Sequence, residues 1–389
     1  MSAYAKCIAA LMLVLGLWAQ PAAAFDTRAT AAYVIDLQTG TVMLDKNAKR
    51  PMPPASMSKL MTLYMTFEAL RDGRLRMNEE LPVSSHAMSY GGSTMFLDTT
   101  DRVKVSDLVR GIIVLSGNDA CAVLAETLSP DGTEDGFARQ MTLRAQQLGM
   151  TNSVFRNASG WPAPGHVMSM QDLAILGQRL IEDFPEYYPM FSETRFEFDG
   201  RAPQNVTNRN PLLGLGIGAD GLKTGHTQEA GYGLVGSARQ GDRRIVFVIT
   251  GLATAQARAE ESQAIVNWAF RQFAQRKLAS QGQLITTAPV WMGAEPRVGL
   301  VPKADFNALL PVVAGNQIEA EAQFNTPFQA PIEKGAELGQ LVVNVEGLPE
   351  MRVPLVADRS VARGGFVSRV VTASTVLLRR LEQGPEDAF

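Results

Sequence analysis

The sequence predicts an α+β fold in two parts, on three observations. Apolar runs of helix-favouring residues at 60–70 and 120–128 lie in the first half of the chain. Strand-like runs at 232–239 and 244–250 follow, joined by the turn residues Gly241-Asp242. After a helical stretch expected at 260–278 and the boundary run Ala279-Ser280-Gln281-Gly282-Gln283, the composition shifts to short strand-like pieces, among them 338–345 and 352–356, separated by turns such as Gly347-Leu348-Pro349. With 389 residues, 46% of them hydrophobic, there is enough chain for two globular domains. The expected division is a mixed domain over 25–280 and a small all-β domain, a β-sandwich, over 284–358.

At the start, Lys6 precedes an apolar stretch at 8–19 and then Gln20-Pro21-Ala22-Ala23-Ala24. This is the pattern of a secretory signal peptide over residues 1–24, with cleavage expected after Ala24. Its apolar core is too short to favour a spanning helix. Cys7 stands before that core, the wrong side for a lipoprotein cysteine, and leaves with the peptide. The mature chain would then keep Cys121 alone and form no internal disulfide.

Pro53-Pro54-Ala55 leads towards the apolar run at 60–70, which stops at Asp72-Gly73, so a loop enters a buried helix where Ser56-Met57-Ser58-Lys59 stands. A serine on the first turn has an unpaired backbone N–H and sits at the positive end of the helix dipole, where a developing oxyanion is stabilised. Lys59, one turn on, shares its face and reaches the Ser56 hydroxyl. Serine is a poor nucleophile near neutral pH, so a neutral lysine must accept its proton. Burial and a second cation both lower a lysine pKa, and Lys223 is the candidate cation. Alone, Ser-x-x-Lys also reads as a helix cap followed by a solvated lysine.

Ser116-Gly117-Asn118 lies between a helical pattern that starts at Ser106, with Val109, Ile112 and Ile113, and the helix expected at 120–128. At such a junction a hydroxyl and an amide project into a cleft. Ser116 would shuttle a proton to a leaving amine, while Asn118 would orient Lys59 and hold a substrate amide. Lys223-Thr224-Gly225 precedes the two strand-like runs and implies a strand edge able to pair with an extended peptide. Lys223 and Thr224 offer a charge and a hydroxyl to a carboxylate, and Gly225 allows close approach. Each motif alone is also an ordinary turn or hairpin entry. In this order, at domain-sized separations, they make a serine acyl-transfer site.

The motifs extend through Gly221-Leu222-Lys223-Thr224-Gly225-His226-Thr227, Ala230-Gly231-Tyr232 and Ser116-Gly117-Asn118-Asp119-Ala120-Cys121. With the loop at 155–166, they resemble the D-alanyl-D-alanine carboxypeptidases, low-molecular-mass penicillin-binding proteins of the type 5-like group that trim peptidoglycan stem peptides. The resemblance covers nearly the whole chain from Phe25. It implies a β-lactamase/transpeptidase-like catalytic domain over 25–280, in which a hairpin at 33–44 and the late strands form an antiparallel sheet against a helical cluster. It also implies that the penultimate D-alanine carbonyl acylates Ser56, with Lys59 as general base and Ser116 passing the proton to the departing D-alanine. Water then hydrolyses the acyl-enzyme. The backbone N–H groups of Ser56 and His226 would form the oxyanion hole. Thr224 and Thr227 would hydrogen-bond the terminal carboxylate, Arg258 would help to bind it, and Arg209 would support the site from further out. The implied partners are stem peptides ending in D-Ala-D-Ala, with β-lactam antibiotics as covalent inhibitors and no cofactor.

Other chemistries find little support. His86, His166 and His226 are far apart without ligand spacing, and no His-Glu-x-x-His is present, so no metal is expected. Cys121 reads as a packed small residue within an apolar helix. No Gly-x-Ser-x-Gly elbow surrounds Ser56, there is no phosphate loop, and a net charge of -3 gives no hint of nucleic-acid binding. A serine β-lactamase shares the chemistry, yet Gly117 stands where the class A motif has Asp, and no Glu-x-x-Leu-Asn run occurs in the loop region. An endopeptidase attacking the same carbonyl in cross-linked peptides is a competing reading. A catalytically silent peptidoglycan-binding protein is another, against which the intact pair Ser56 and Lys59 stands.

The last segment, 363–382, carries Phe366, Val367, Val370, Val371, Leu377, Leu378 and Leu381 among Arg363, Arg369, Arg379 and Arg380. It is expected to form a basic amphipathic helix. Such a helix lies in the headgroup region of an anionic membrane, as in the related carboxypeptidases, although docking on the β domain or a dimer contact would use the same face. With the leader, this predicts an exported protein held peripherally at the inner-membrane surface, on its periplasmic face.

Overall fold

The structure, a computed structural model, describes residues 25–365 apart from residues 202, 313–317 and 347. The expected signal peptide and the apolar repeat expected at 366–381 lie outside the described residues. The first part runs β1 (Ala31–Asp36), β2 (Val42–Lys46), a 3-10 turn (Ala55–Ser58), α1 (Lys59–Arg71), β3 (Glu80–Pro82), α2 (Ser85–Met88), β4 (Arg102–Lys104) and α3 (Val105–Arg110). A π-helical turn (Gly111–Leu115) leads to α4 (Asn118–Leu128), α5 (Glu134–Gln147), α6 (Met170–Asp183), a second 3-10 turn (Tyr188–Ser192), β5 (Ala219–Thr227), β6 (Gly231–Gln240), β7 (Arg243–Leu252) and α7 (Ala255–Arg271). The remainder is strand: β8 (Phe273–Ala279), β9 (Thr286–Trp291), β10 (Arg297–Pro302), β11 (Phe306–Pro311), β12 (Ile318–Gln323), β13 (Phe328–Gln329), β14 (Glu337–Val345) and β15 (Met351–Ala357).

The central sheet is antiparallel, in the order β2-β1-β7-β6-β5. Its middle strands read as continuous apolar runs because both faces are covered. Along β7, Val246 and Val248 enter the core shared with helices α1 to α6, while Ile245, Phe247 and Ile249 enter the core beneath α7. That alternation puts the helical cluster on one side and α7 on the other. β5 is left at an edge, the position from which a sheet can pair with a further extended chain.

The hairpin expected at 33–44 is β1 and β2, and the two late strand-like runs are β6 and β7 around Gly241-Asp242. The helix expected at 260–278 is different: it stops at Arg271, and Phe273–Ala279 forms β8, paired antiparallel with β11. No Gly or Pro marks the change, and Ala274-Gln275-Arg276-Lys277-Leu278 favours helix by propensity. Pairing with β11 overrides that preference. The larger C-terminal sheet has the order β12-β14-β15-β10-β9-β13, with β14 and β15 where the sequence expects strands.

Candidate active site

The three motifs meet where the 3-10 turn carrying Ser56 abuts the edge strand β5. Ala55, just before the nucleophile, is held at φ +48°, an uncommon conformation for a residue with a side chain. Two glycines let backbone come against this turn. A Cβ on Gly225 would lie 3.0 Å from Met57 Cγ and 3.1 Å from the Pro54 carbonyl. The approach that Gly225 permits on this face is therefore that of the nucleophile's own turn. Gly160, at φ +75°, has its α-carbon against the Ala55 carbonyl, where a Cβ would collide. That contact seats the loop at 155–166 on the site.

Lys59 Nζ donates to Ser56 Oγ at 2.9 Å, Asn118 Oδ1 at 2.7 Å and the Ser159 carbonyl at 2.6 Å. These three acceptors use all three protons of an ammonium. In the neutral amine the amide and peptide oxygens, which only accept, would hold the two remaining N–H groups, leaving the lone pair to the one partner that also donates, the Ser56 hydroxyl. Lys59 is fully buried, and burial, aided by the charge of Arg209 and opposed by Cys121, Asp119 and Glu134, lowers its pKa to about 8. The sequence suggested Lys223 as the cation acting on Lys59, whereas the field found there is that of Arg209. Lys223 is itself lowered well below its ordinary value, by burial first and then by Lys59 and Arg209. It donates to the Thr224 carbonyl at 3.1 Å, and an amine that loses its own proton exerts little field on its neighbour.

Ser116 follows the π-helical turn at φ +64°, and its buried Oγ makes no hydrogen bond among the described residues. Asn118 opens α4, accepts from Lys59 and donates through Nδ2 to the Gly91 carbonyl at 2.8 Å. Asp119 accepts from the backbone N–H of Met95 at 2.9 Å and of Leu97 at 3.2 Å, fastening the segment between α2 and β4 to the start of α4.

The pairing register sorts the third motif between two faces. Lys223, Gly225 and Thr227 share the face of Val235, towards the helical cluster; Thr224 and His226 share that of Leu234 and Tyr232, towards α7. On the α7 face, His226 stacks on Tyr232 with centroids 3.8 Å apart, and the Arg258 guanidinium lies 5.7 Å from the Tyr232 ring centroid. Arg258 is 8% exposed and donates to the Arg209 carbonyl at 3.3 Å, so it is a buried cation rather than part of a solvated helix face. Arg209 donates to Ser93 Oγ at 2.7 Å. Thr227 stands apart from Thr224: its Oγ1 accepts from the Ala230 N–H at 3.0 Å within the β5–β6 turn.

Three supports escaped sequence reasoning. The Ser159 carbonyl is a backbone group without a side-chain signature. Glu134, buried at the start of α5, accepts from His86 Nε2 at 2.7 Å, Tyr90 Oη at 2.7 Å and the Ala158 N–H at 2.8 Å, tying three segments beside the site. After Thr133, the N-cap of α5, a glutamate reads only as a favourable helix-dipole charge. His166 Nε2 hydrogen-bonds Ser58 Oγ at 2.8 Å, which fastens the far end of the loop to the first motif.

A serine hydroxyl against a desolvated lysine, with a second buried lysine and a free strand edge, defines an active-site-serine acyl-transferring peptidase. The chain belongs to the D-alanyl-D-alanine carboxypeptidase family, whose pattern matches residues 18–254; that of the penicillin-binding protein 5 C-terminal domain matches residues 273–363. It is 34% identical over 351 residues to D-alanyl-D-alanine carboxypeptidase DacC of Escherichia coli (strain K12), covering 88% of this chain and 86% of that protein. Penicillin binding protein 5 from Haemophilus influenzae superposes with a TM-score of 0.71 at 32% identity, over 87% of this chain and 99% of that one. Penicillin-binding protein D2 from Listeria monocytogenes, solved in its ampicillin-bound form, gives 0.56 at 31% identity over 63% and 98% of the two chains.

Proposed function

We propose that this chain is a serine DD-carboxypeptidase that removes the terminal D-alanine from peptidoglycan pentapeptide stems and is acylated by penicillins. The observation that carries the mechanism is the 2.9 Å contact of Lys59 Nζ with Ser56 Oγ, beside two acceptors that fix the remaining N–H groups. Neutral Lys59 takes the Ser56 proton as Oγ attacks the penultimate carbonyl. The N–H groups of Ser56 and His226 receive the oxyanion. Ser116, whose buried Oγ makes no hydrogen bond among the described residues, relays a proton to the leaving amine. Thr224 and Arg258, on one face of β5, hold the terminal carboxylate. Thr227 has a turn contact of its own and takes a lesser part. Water then releases the acyl group.

Fast β-lactam turnover would need a glutamate to activate that water. The charge of Glu134 is felt at Lys59, but its carboxylate already accepts three hydrogen bonds that hold it in place, which favours the carboxypeptidase over the β-lactamase reading. Free D-alanine should appear from a pentapeptide ending in D-Ala-D-Ala with the parent and not with Ser56→Ala; release by neither folded protein would sink the reading.

The domain division at 25–280 and 284–358, export by the leader, and periplasmic attachment at the inner membrane through 363–382 belong to the same proposal. The division rests on the composition shift after residue 279, and export and attachment on the charge and apolar patterns of the two termini. No helix among the described residues is long and apolar enough to cross a membrane. Full-length mature protein should sediment with vesicles containing anionic lipid and lose that affinity in high salt, whereas a chain ending at Gly365, which keeps the buried Val361 and its pairing with Ile332, should stay in solution with its D-alanine release intact. Equal sedimentation of both would remove the terminal segment from that role.

A further inference from the structure

The Ser159 carbonyl that Lys59 uses as an acceptor is main chain, so its direction is set by whatever holds the turn around it. Ala158 and Ser159 are fully buried, and each backbone donor and acceptor from the Ala158 N–H to the Gly160 N–H has a partner. The Ala158 carbonyl accepts from Thr62 Oγ1 at 2.6 Å, about one turn along α1 from Lys59. Asn157 Oδ1 accepts from the N–H groups of Ser159 at 3.2 Å and Gly160 at 2.8 Å. The remaining tie, from the Ala158 N–H to Glu134 Oε1 at 2.8 Å, reaches the turn from a carboxylate on α5.

Glu134 is itself held. It is 6% exposed, and its Oε2 accepts from His86 Nε2 and from Tyr90 Oη, each at 2.7 Å. Burial, joined by the Glu134 charge, pushes the Tyr90 phenol up, so it stays a donor through neutral pH. With Oε2 occupied from α2 and the segment after it, Oε1 is committed to Ala158. One side chain therefore reaches Lys59 in two ways. Through the turn it fixes an acceptor of the amine, and through space its negative charge favours the ammonium. The other titratable groups that act on Lys59 are Arg209, Lys223 on β5, His166 in the loop, and Asp119 and Cys121 on α4. Asp119 is fastened to Met95 and Leu97, and burial pushes the Cys121 thiol up to about 12, so it is neutral.

We propose that Glu134 is a positioning residue for the acyl transfer: it holds the Ser159 carbonyl on Lys59 and, by its charge, sets the pH at which Lys59 becomes a base. The assignment rests on the reading of Ser56 and Lys59 as nucleophile and base, and adds the residue that governs when that base is available.

Two substitutions separate the mooring from the charge. In Glu134→Gln the amide keeps an oxygen for the Ala158 N–H and turns its NH2 to Tyr90 and His86, each of which can accept, so the mooring stays and the charge goes. In Glu134→Asp the charge stays, but the carboxylate is drawn back by one methylene from Ala158. Second-order acylation by a fluorescent penicillin between pH 6 and 9.5, counted per site that takes up the label, reads both. The ascending limb of Glu134→Gln should move to lower pH by about 0.5 to 1 unit, so that it acylates about 3- to 10-fold faster than the parent at pH 7 and reaches a similar plateau. Glu134→Asp should keep the parent's limb and lose about 3- to 10-fold of the plateau, because the amine is less well aimed. Release of D-alanine from a pentapeptide should follow the same pattern in kcat/KM. A residue that only stabilised the fold would lower the fraction of protein that takes up penicillin and leave limb and plateau where the parent has them, which overturns the assignment. A limb that stays in place in Glu134→Gln overturns the role of the charge, and a plateau that stays in place in Glu134→Asp overturns the mooring. A parent that is not acylated at any pH would instead remove the reading of Ser56 and Lys59 on which the assignment stands.

Discussion

At the scale of single residues the site turns on whether Lys59 is a base at working pH. A solvated lysine near 10.5 would be almost wholly protonated there, whereas burial brings Lys59 to about 8. The neutral form is the reactive one, so acylation should rise with pH and level off above about 8. Below that value it should fall by about tenfold per pH unit. Second-order rates with a fluorescent penicillin between pH 6 and 9.5 would show this limb, and one centred near 10 would mean that the lysine is solvated. That Ser56, Lys59, Asn118 and Lys223 gather in one place was legible because the chemistry expected of them needs particular residue types at particular spacings. Lys223 as the cation depressing Lys59 was not, because which of two buried amines yields its proton depends on hydrogen bonds that sequence does not display. The same limit hid Glu134: its three donors come from residues 48, 44 and 24 positions away.

At the scale of elements, the loop at 155–166 shows how packing holds what sequence can only locate. One end is fitted against Ala55 by Gly160, and the other is tied to Ser58 by His166. Burial, followed by the charges of Lys59 and Arg156, pushes His166 from 6.5 down to about 4. Between those values the unfolded chain binds a proton that the native ring refuses. The stability carried by the neutral ring is therefore complete above about 6.5 and lost as pH falls towards about 4. The loss amounts to roughly 2 kcal/mol by pH 5. Urea unfolding at pH 7 and pH 5 should show that difference shrinking in His166→Gln, and an equal pH dependence in both proteins would take His166 out of the account. The helix that ended early belongs to this scale too. Phe273–Ala279 has the composition of a helix, and only its partner β11, some thirty residues on, makes it a strand.

At the scale of the molecule, the question is whether the C-terminal strands form a separate weight on the chain or part of one folding unit. Leu309 of β11 is fully buried in the core beneath α7, with Phe273 of β8, and its backbone N–H donates to Thr41 Oγ1 at 3.1 Å. Arg243, at the start of β7, pairs with Asp36 at 3.3 Å and donates to the Ala269 carbonyl at 3.0 Å, which ties the sheet to the end of α7. The strands are thus anchored on the α7 face, across the sheet from the helical cluster that frames Ser56. Leu309→Ala would remove apolar contact from the larger domain's own core, at a cost of about 2–4 kcal/mol. Acylation by penicillin should nevertheless be unchanged below the transition, since Ser56 and Lys59 lie across the sheet, in the turn and helix packed on the helical-cluster side. Thermal unfolding monitored through retained acylation should shift down together with the transition seen by circular dichroism. If the acylating activity instead kept its parental transition while a separate one moved, the two parts would be independent, and the buried face of β11 would contribute nothing to the domain that performs the chemistry.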